Sequence, residues 1–95
     1  MVEAEHNPEN IIVSSVINYP TFQIEIVHDK IEYLLIAVVT ACRRILAMLS
    51  MAAFEGYNVV NITIVAKEPP IGKIKIIVVD IEANIVASKV IEVIN

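Results

Sequence analysis

The sequence predicts a single α+β domain in which one long helix packs on a mostly antiparallel sheet. Two observations carry this prediction. One long apolar stretch combines a helix start signal with a stop signal, and short β-branched runs lie on both sides of it. A chain of 95 residues has the length of one domain. We expect residues 1–10, which are polar and acidic, to form a flexible tail, and residues 11–95 to form the domain.

The helix is predicted over about residues 30–55. Asp29 precedes the apolar run and Glu32 follows three residues later, which is the spacing of a capping box. Gly56 stands where a left-handed residue would end the helix. Turned at about 100° per residue, the stretch is apolar over about twice the width that a helix buries on one sheet. This width predicts a second cover for the helix, which we expect to be another subunit.

Two strands are predicted before the helix and three after it, so the order of elements is β-β-α-β-β-β. Within the fourth strand the apolar phase changes near Ile76, which predicts a β-bulge or a passage from an edge to a doubly covered position. The last run fits both a strand and a helix, and its β-branched content favours a strand. The five runs cover residues 11–17, 21–28, 57–67, 73–82 and 85–94.

The composition favours self-association and restricts the partners. Hydrophobic residues make up 57% of the chain and the mean hydropathy is +0.71, whereas roughly 45–50% apolar content is usual in soluble domains. The net charge of −4 argues against nucleic acid as the main partner, because that binding needs clustered cations.

Arg43 and Arg44 in the middle of the long stretch argue against a membrane span. A single cysteine indicates a reducing compartment, so we expect a cytoplasmic protein. The many Ile and Val residues are typical of a thermophile-like composition.

Arg43 and Arg44 are the most informative charged pair. Neither has an acidic residue three or four positions away, so neither has a partner within the predicted helix. Three interpretations stay open for them: a solvated helix surface, a salt bridge to a neighbouring subunit, and an anion-binding site.

No group of residues has the pattern of a catalytic or metal site. Ser14 and Ser15 lack a G-x-S-x-G context, and Cys42 is expected to be a buried, inert thiol. His28 and Asp29, joined by His6 from the tail, are weak metal candidates without C-x-x-C or H-x-x-H spacing. We therefore expect no enzymatic activity and no cofactor.

These observations predict a small, non-enzymatic homo-oligomer, a dimer or a ring, that acts as a structural or binding module. Its interface is expected on the apolar helix face, with edge-to-edge pairing of the last strands as a second route. The alternative functions are nucleic-acid binding and the binding of a metal or small ligand. The predicted interface residues are Leu35, Val38, Cys42, Ile45 and Leu49.

The order of elements resembles two known families. IIVSSV, FQIEIV, the long helix and AAFEGYNVVNITI are similar to successive parts of the YbjQ-like proteins over about residues 11–94. That resemblance implies a ring-forming homo-oligomer and heavy-metal binding, but glycines of the family's strands are absent and Ser14–Ser15 replace its threonines. The step into EGYNVVNITIVAK also resembles the Alba-like chromatin proteins, which are basic and carry a further helix. The best local match to the first family is Gly56, Asn58, Val59 and Val60.

Overall fold

The part of the chain that the structure describes folds mainly into β-strands. The computed structural model describes residues 10–14, 16–18, 20–65 and 72–94, so the predicted tail lies outside them except for its last residue. About 75% of the described residues are in strands, and none forms an α-helix. The strands are β1 (Ile11–Ile12), β2 (Val16–Asn18), β3 (Thr21–His28), β4 (Glu32–Thr40), β5 (Ile45–Ala53), β6 (Gly56–Thr63), β7 (Gly72–Asp80) and β8 (Ile85–Ile94).

Two sheets share one apolar core. The smaller sheet has the strand order β1-β3-β6 and the larger one the order β2-β8-β7-β4-β5. All pairings are antiparallel except that of β2 with β8. The sheets form a curled half-barrel, and their inner faces supply the buried side chains. The largest fully buried ones are Ile11, Ile24, Ile26, Leu34, Ile36, Ile62, Ile64, Ile76, Val38, Val78 and Val93.

The helix predicted over residues 30–55 is wrong, and so are the α+β class and the order β-β-α-β-β-β. The stretch forms the antiparallel β4–β5 hairpin, in which Glu32 lies opposite Ala53. Alternate residues of β4 enter the core, and the residues between them form the outer face of the sheet. Because both faces of β4 and β5 are mostly apolar, the same residues placed on a helical wheel give an apolar arc about twice as wide as one sheet buries. That distribution made the stretch resemble a helix with two covered sides.

The signals interpreted as helix ends belong to strand connections. Asp29 is exposed between β3 and β4, and Glu32 Oε2 lies 2.6 Å from His28 Nε2 instead of reaching back to cap a helix. Gly56 does adopt a left-handed conformation, with a φ of 102°, but it begins β6. The glycine was therefore correctly expected at a backbone position that other residues rarely adopt.

The other strand predictions agree with the structure to different degrees. The run predicted over residues 21–28 is β3, but the run over 11–17 divides into β1 and β2, which join different sheets. The last run is a strand, β8, and it lies between β2 and β7. Because β2 pairs with β8 only over residues 92–94, pairing of β8 with another subunit stays an untested prediction. The register of β7 with β8 shifts between Val78 and Val79, two residues after the position predicted from the apolar phase.

The β4–β5 and β7–β8 hairpins are closed by the same three-residue loop. Arg43 N donates to Thr40 O at 2.9 Å in the first, and Ala83 N donates to Asp80 O at 3.0 Å in the second. Arg43 and Ala83 both have a φ of 68°. This is the type I turn followed by a left-handed residue that commonly joins antiparallel strands, here without a glycine at the left-handed position.

Candidate interaction site on the five-stranded sheet

The outer face of the five-stranded sheet carries large apolar side chains in contact with solvent. Strand residues alternate between faces, so the neighbours of the core residues on β4, β5, β7 and β8 point outward. Contiguous apolar surface of this kind is a feature of interaction sites, because monomers rarely leave a large patch uncovered. The most exposed members are Tyr33 (65%), Ile45 (55%), Met48 (52%) and Val90 (55%), with Leu35 at 37%.

The outer face of the three-stranded sheet is different at the corresponding end. Thr21 Oγ1 lies 3.2 Å from Thr63 Oγ1, and Gln23 Nε2 donates to Asn61 Oδ1 at 3.2 Å. These are cross-strand pairs between β3 and β6 that satisfy each other in water. The smaller sheet is therefore polar outside at the end that carries Thr21 and Thr63, whereas its other end exposes Tyr57 and Val59.

β5 forms the edge of the five-stranded sheet next to this apolar face. Its nine residues include no charge, proline or glycine, the features with which proteins usually protect an exposed edge. Among the described strands it pairs with β4 alone. On the side away from β4, the described chain supplies one backbone hydrogen bond, from Val65 N to Leu46 O at 3.1 Å. The edge over residues 47–53 is therefore suited to pairing with a further strand.

Charges of opposite sign lie at the two ends of β5. Arg43 and Arg44 precede it in the β4–β5 loop, and Glu55 follows it in the turn to β6; all three are exposed. In the described residues the one pair at salt-bridge distance is His28 with Glu32, so neither arginine has a carboxylate partner there. The β5 edge therefore has positive charge before its first residue and negative charge after its last residue.

A cleft of about 580 Å³ opens on the apolar face beside the tip of the β4–β5 hairpin. A register shift between Val38 and Val39 interrupts the β4–β5 ladder just before the tip, and such bulges bend and twist a hairpin. The cleft lining includes Thr40, the last residue of β4, and Arg43 of the β4–β5 loop. Its apolar lining includes Val39, Ile45, Ile77 and Val90.

Lysine side chains supply the remaining charge of the cleft. Lys75 lies on β7 directly between Val39 of β4 and Val90 of β8, and it is half-buried. Lys73 is exposed two residues earlier, opposite Glu92 of β8, but the two do not form an ion pair. The structure therefore brings Lys73, Lys75 and Arg43, which are far apart in the sequence, together at one apolar cleft.

The predicted interface residues do not share one surface. Leu35 and Ile45 are exposed on the outer face of the sheet, whereas Val38 is fully buried in the core. Leu49 is partly buried and packs against the core. Cys42 is exposed at the hairpin tip, so the expectation of a buried thiol is wrong. The helical spacing that grouped these residues does not exist in a strand, where residues of odd and even number lie on opposite faces.

The weak metal candidates are not brought together with further ligands. His28 contacts Glu32, and Asp29 is exposed beside them. Within the described ranges no group of three or more His, Cys, Asp or Glu side chains could hold a metal ion. His6 lies outside those ranges.

Sequence reasoning missed two features of this site. Lys73, Lys75 and Ile77 alternate along one strand face, but the sequence alone does not place that strand beside Val39 and Val90. Glu55 was taken as the last residue of a helix. For the lysines a signal was the alternation KIKII, which fits a strand with Lys73 and Lys75 on one face and Ile74 and Ile76 on the other.

No protein-family model matches the chain, and neither does any curated protein. Both family resemblances align a long helix with residues 30–55, where this chain forms a hairpin, and they stay untested predictions. In the part of the chain that the structure describes, no helix has the length and apolar character needed to cross a bilayer.

Proposed function

We propose that the protein is a non-enzymatic, self-associating module in which two copies pair antiparallel along β5. The observation that carries this proposal is the uncharged edge of β5 with cations at its start and an anion at its end. Pairing two such edges joins the five-stranded sheets of the two copies into one continuous ten-stranded sheet. A two-fold axis relates the copies, so that each contact occurs twice.

Backbone pairing is the first contribution to this contact. Over residues 47–53 the N–H and C=O groups on the side of β5 away from β4 would bond to C=O and N–H groups of a second copy, at the 4.7–4.9 Å spacing of neighbouring strands. Cross-strand side-chain pairs add roughly 0.2–1 kcal/mol each relative to alanine pairs. Met48, Ser50 and Ala52 are the exposed outer-face residues that would take part. None of them carries a charge that would oppose the approach.

Charge complementarity selects the antiparallel orientation. In that arrangement Arg44 of one copy comes about level with Glu55 of the other, at both ends of the paired strands. A parallel arrangement would instead place Arg44 beside Arg44 and Glu55 beside Glu55, and like charges opposite one another are destabilising. The exposed pair contributes little free energy by itself, typically 0.2–1 kcal/mol, but it distinguishes the two orientations.

The experiment that tests the proposal is a mass measurement in solution by light scattering from low to high micromolar concentration. We expect the mass to rise to twice the 10.5 kDa of the chain. A constant mass of one chain across the range would contradict the proposal. A mass above two chains would contradict the closed two-fold arrangement. In that arrangement the β5 edge of each copy is paired with that of the other, so no β5 edge is left for a third copy.

We also propose that the protein resides in the cytoplasm. The support is its single cysteine, Cys42, which cannot form an intrachain disulfide and lies exposed at the hairpin tip. An exposed lone thiol persists in a reducing compartment. Fractionation of cells that express the tagged chain tests this, and recovery in a membrane or secreted fraction would contradict it.

A further inference from the structure

We propose that the cleft beside the β4–β5 hairpin binds an amphipathic carboxylate, with an apolar chain on the sheet and the carboxylate at Lys75 and Arg43. This site is distinct from the paired β5 edge and goes beyond self-association. Its volume of about 580 Å³ lies in the range of roughly 300–1,000 Å³ that is usual for small-molecule sites.

The floor of the cleft explains the apolar part of the ligand. Val39, Lys75 and Val90 form one row across three strands, and Ile77 follows on the same face of β7. Ile45 borders them from the first position of β5. An aliphatic chain laid across this floor removes its own apolar surface and that of the floor from water, at roughly 25 cal/mol per Å².

The cationic side chains of the cleft are the basis for proposing an anionic group in the ligand. Lys75 is half-buried between two valines, and such a position costs part of its hydration without supplying a carboxylate among the described residues. Arg43 reaches the same cleft from the loop. A bound carboxylate would accept charge-assisted hydrogen bonds from both side chains, which are roughly twice as strong as bonds between neutral groups. In a chain of net charge −4, a local excess of cations at an apolar cleft favours this class of ligand over a neutral or cationic one.

The two proposed surfaces are compatible. The paired residues 47–53 do not include Ile45, the β5 residue that lines the cleft. A two-fold axis perpendicular to the sheet places both clefts on the same side of the dimer, where they stay open. Arg44 and Arg43 then have separate roles, since Arg44 does not line the cleft. Failure of the dimer would not remove the cleft, so the two proposals can be tested separately.

The test is a calorimetric titration of the full chain with decanoate, with decanol and decyltrimethylammonium as matched probes of the same chain length. We expect saturable binding of one decanoate per chain, and at least tenfold weaker binding of the neutral and cationic probes. Equal affinity for decanoate and decanol would overturn the assignment of the cations. Absence of saturable decanoate binding would overturn the site. Binding to anionic vesicles in preference to free decanoate would also count against it, because the proposal is a free amphiphile.

Variants locate the binding on the molecule. Lys75→Gln should weaken decanoate binding about tenfold, while Lys30→Gln, which removes the same charge from the β3–β4 connection, should leave it within twofold. Arg43→Gln should act in the same direction as Lys75→Gln. Equal losses in Lys75→Gln and Lys30→Gln would show a general charge effect and overturn the proposal. Circular dichroism and the mass of each variant confirm that fold and assembly are unchanged.

Discussion

The side chain of Asn58 pairs with the backbone of Phe54 as a neighbouring strand would. Asn58 Oδ1 accepts from Phe54 N at 2.8 Å, and Asn58 Nδ2 donates to Phe54 O at 2.9 Å. The same amide donates to Ile26 O at 3.2 Å, which lies on the adjacent strand β3. Asn58 is only 7% exposed, so it fixes the turn from β5 to β6 from inside the protein.

Replacing Asn58 with Ala should destabilise the protein by about 1–3 kcal/mol, because it removes the hydrogen bonds of a buried amide to the part-buried backbone of Phe54 and to the buried Ile26 O. Chemical denaturation measures the change in the free energy of unfolding. The control is Asn61→Ala on the same strand, where the side chain is exposed and bonds only to Gln23. We expect less than about 0.5 kcal/mol there. Equal effects at the two positions would show that the turn does not depend on the buried amide.

The two hairpin loops provide a second prediction. Ala83 has a φ of 68°, a left-handed conformation that costs an L-residue of order 1 kcal/mol and glycine almost nothing. Ala83→Gly should therefore raise the free energy of unfolding by a few tenths to about 1 kcal/mol, after the greater flexibility of glycine in the unfolded chain is taken into account.

Ala52→Gly is the control for Ala83→Gly. Ala52 is an exposed strand residue of β5 with no left-handed requirement, so the same substitution should lower stability by roughly 0.5–1 kcal/mol. Thermal melts of both variants give the sign of each change. Destabilisation by Ala83→Gly would contradict the assigned loop conformation.

The β4–β5 loop also explains why the sequence did not predict the β4–β5 hairpin. The β4–β5 loop reads Thr40-Ala41-Cys42-Arg43-Arg44, with an arginine at the left-handed position where glycine or asparagine usually signals a turn. Seven of the nine residues of β5 are Leu, Ala or Met, which are strong helix formers. Tertiary pairing with β4 outweighs those preferences, and a single sequence does not display that pairing.

The alternating strands were easier to predict. Phe22, Ile24 and Ile26 of β3 alternate with polar residues, and the structure buries all three. β8 was also preferred as a strand, although its position inside the sheet did not follow from its sequence. Of the candidate site, the association of Lys73 and Lys75 with Ile77 was visible from spacing alone. The contribution of Arg43 was not, because it depends on how close the β4–β5 loop lies to β7 and β8.

Asp80 should make the free energy of unfolding depend on pH in the acid range. Asp80 Oδ1 accepts hydrogen bonds from Asn84 N and Glu82 N, both at 2.9 Å. The bond from the Asn84 backbone is the main cause that lowers the pKa of Asp80 below its ordinary value of 3.8. A carboxyl with a lowered folded-state pKa stabilises the protein above pH 3.8, and this contribution is lost as the pH falls through the folded-state pKa.

Asp80→Asn isolates the charge of this loop. We expect the melting temperature of the variant to lie below that of the parent protein at neutral pH, and the difference to shrink as the pH is lowered below 3.8. Glu82→Gln is the control, because that carboxylate accepts no hydrogen bond in the described loop. A difference for Asp80→Asn that stays constant down to pH 2 would show that the ionised carboxylate is not what stabilises the turn.

The proposed dimer makes the last prediction, a charge exchange at the ends of β5. Arg44→Glu places an acidic residue next to Glu55 of the second copy, and Glu55→Arg places two cations together; each contact occurs twice in a two-fold dimer. Exposed pairs are worth up to about 1 kcal/mol each, so either single variant should weaken dimerisation by on the order of tenfold or more. The double variant, Arg44→Glu with Glu55→Arg, should restore the parent dissociation constant within about threefold. Sedimentation equilibrium measures the dissociation constant of all three variants.

Glu82→Arg is the control for this charge exchange. It makes the same charge change as Glu55→Arg, but in the β7–β8 loop away from β5, and should leave the dimer intact. Ser50→Lys places a charge in the middle of the paired edge and should give a folded monomer. If Ser50→Lys remains dimeric, or if the double variant is no better than the single ones, the copies do not pair along β5.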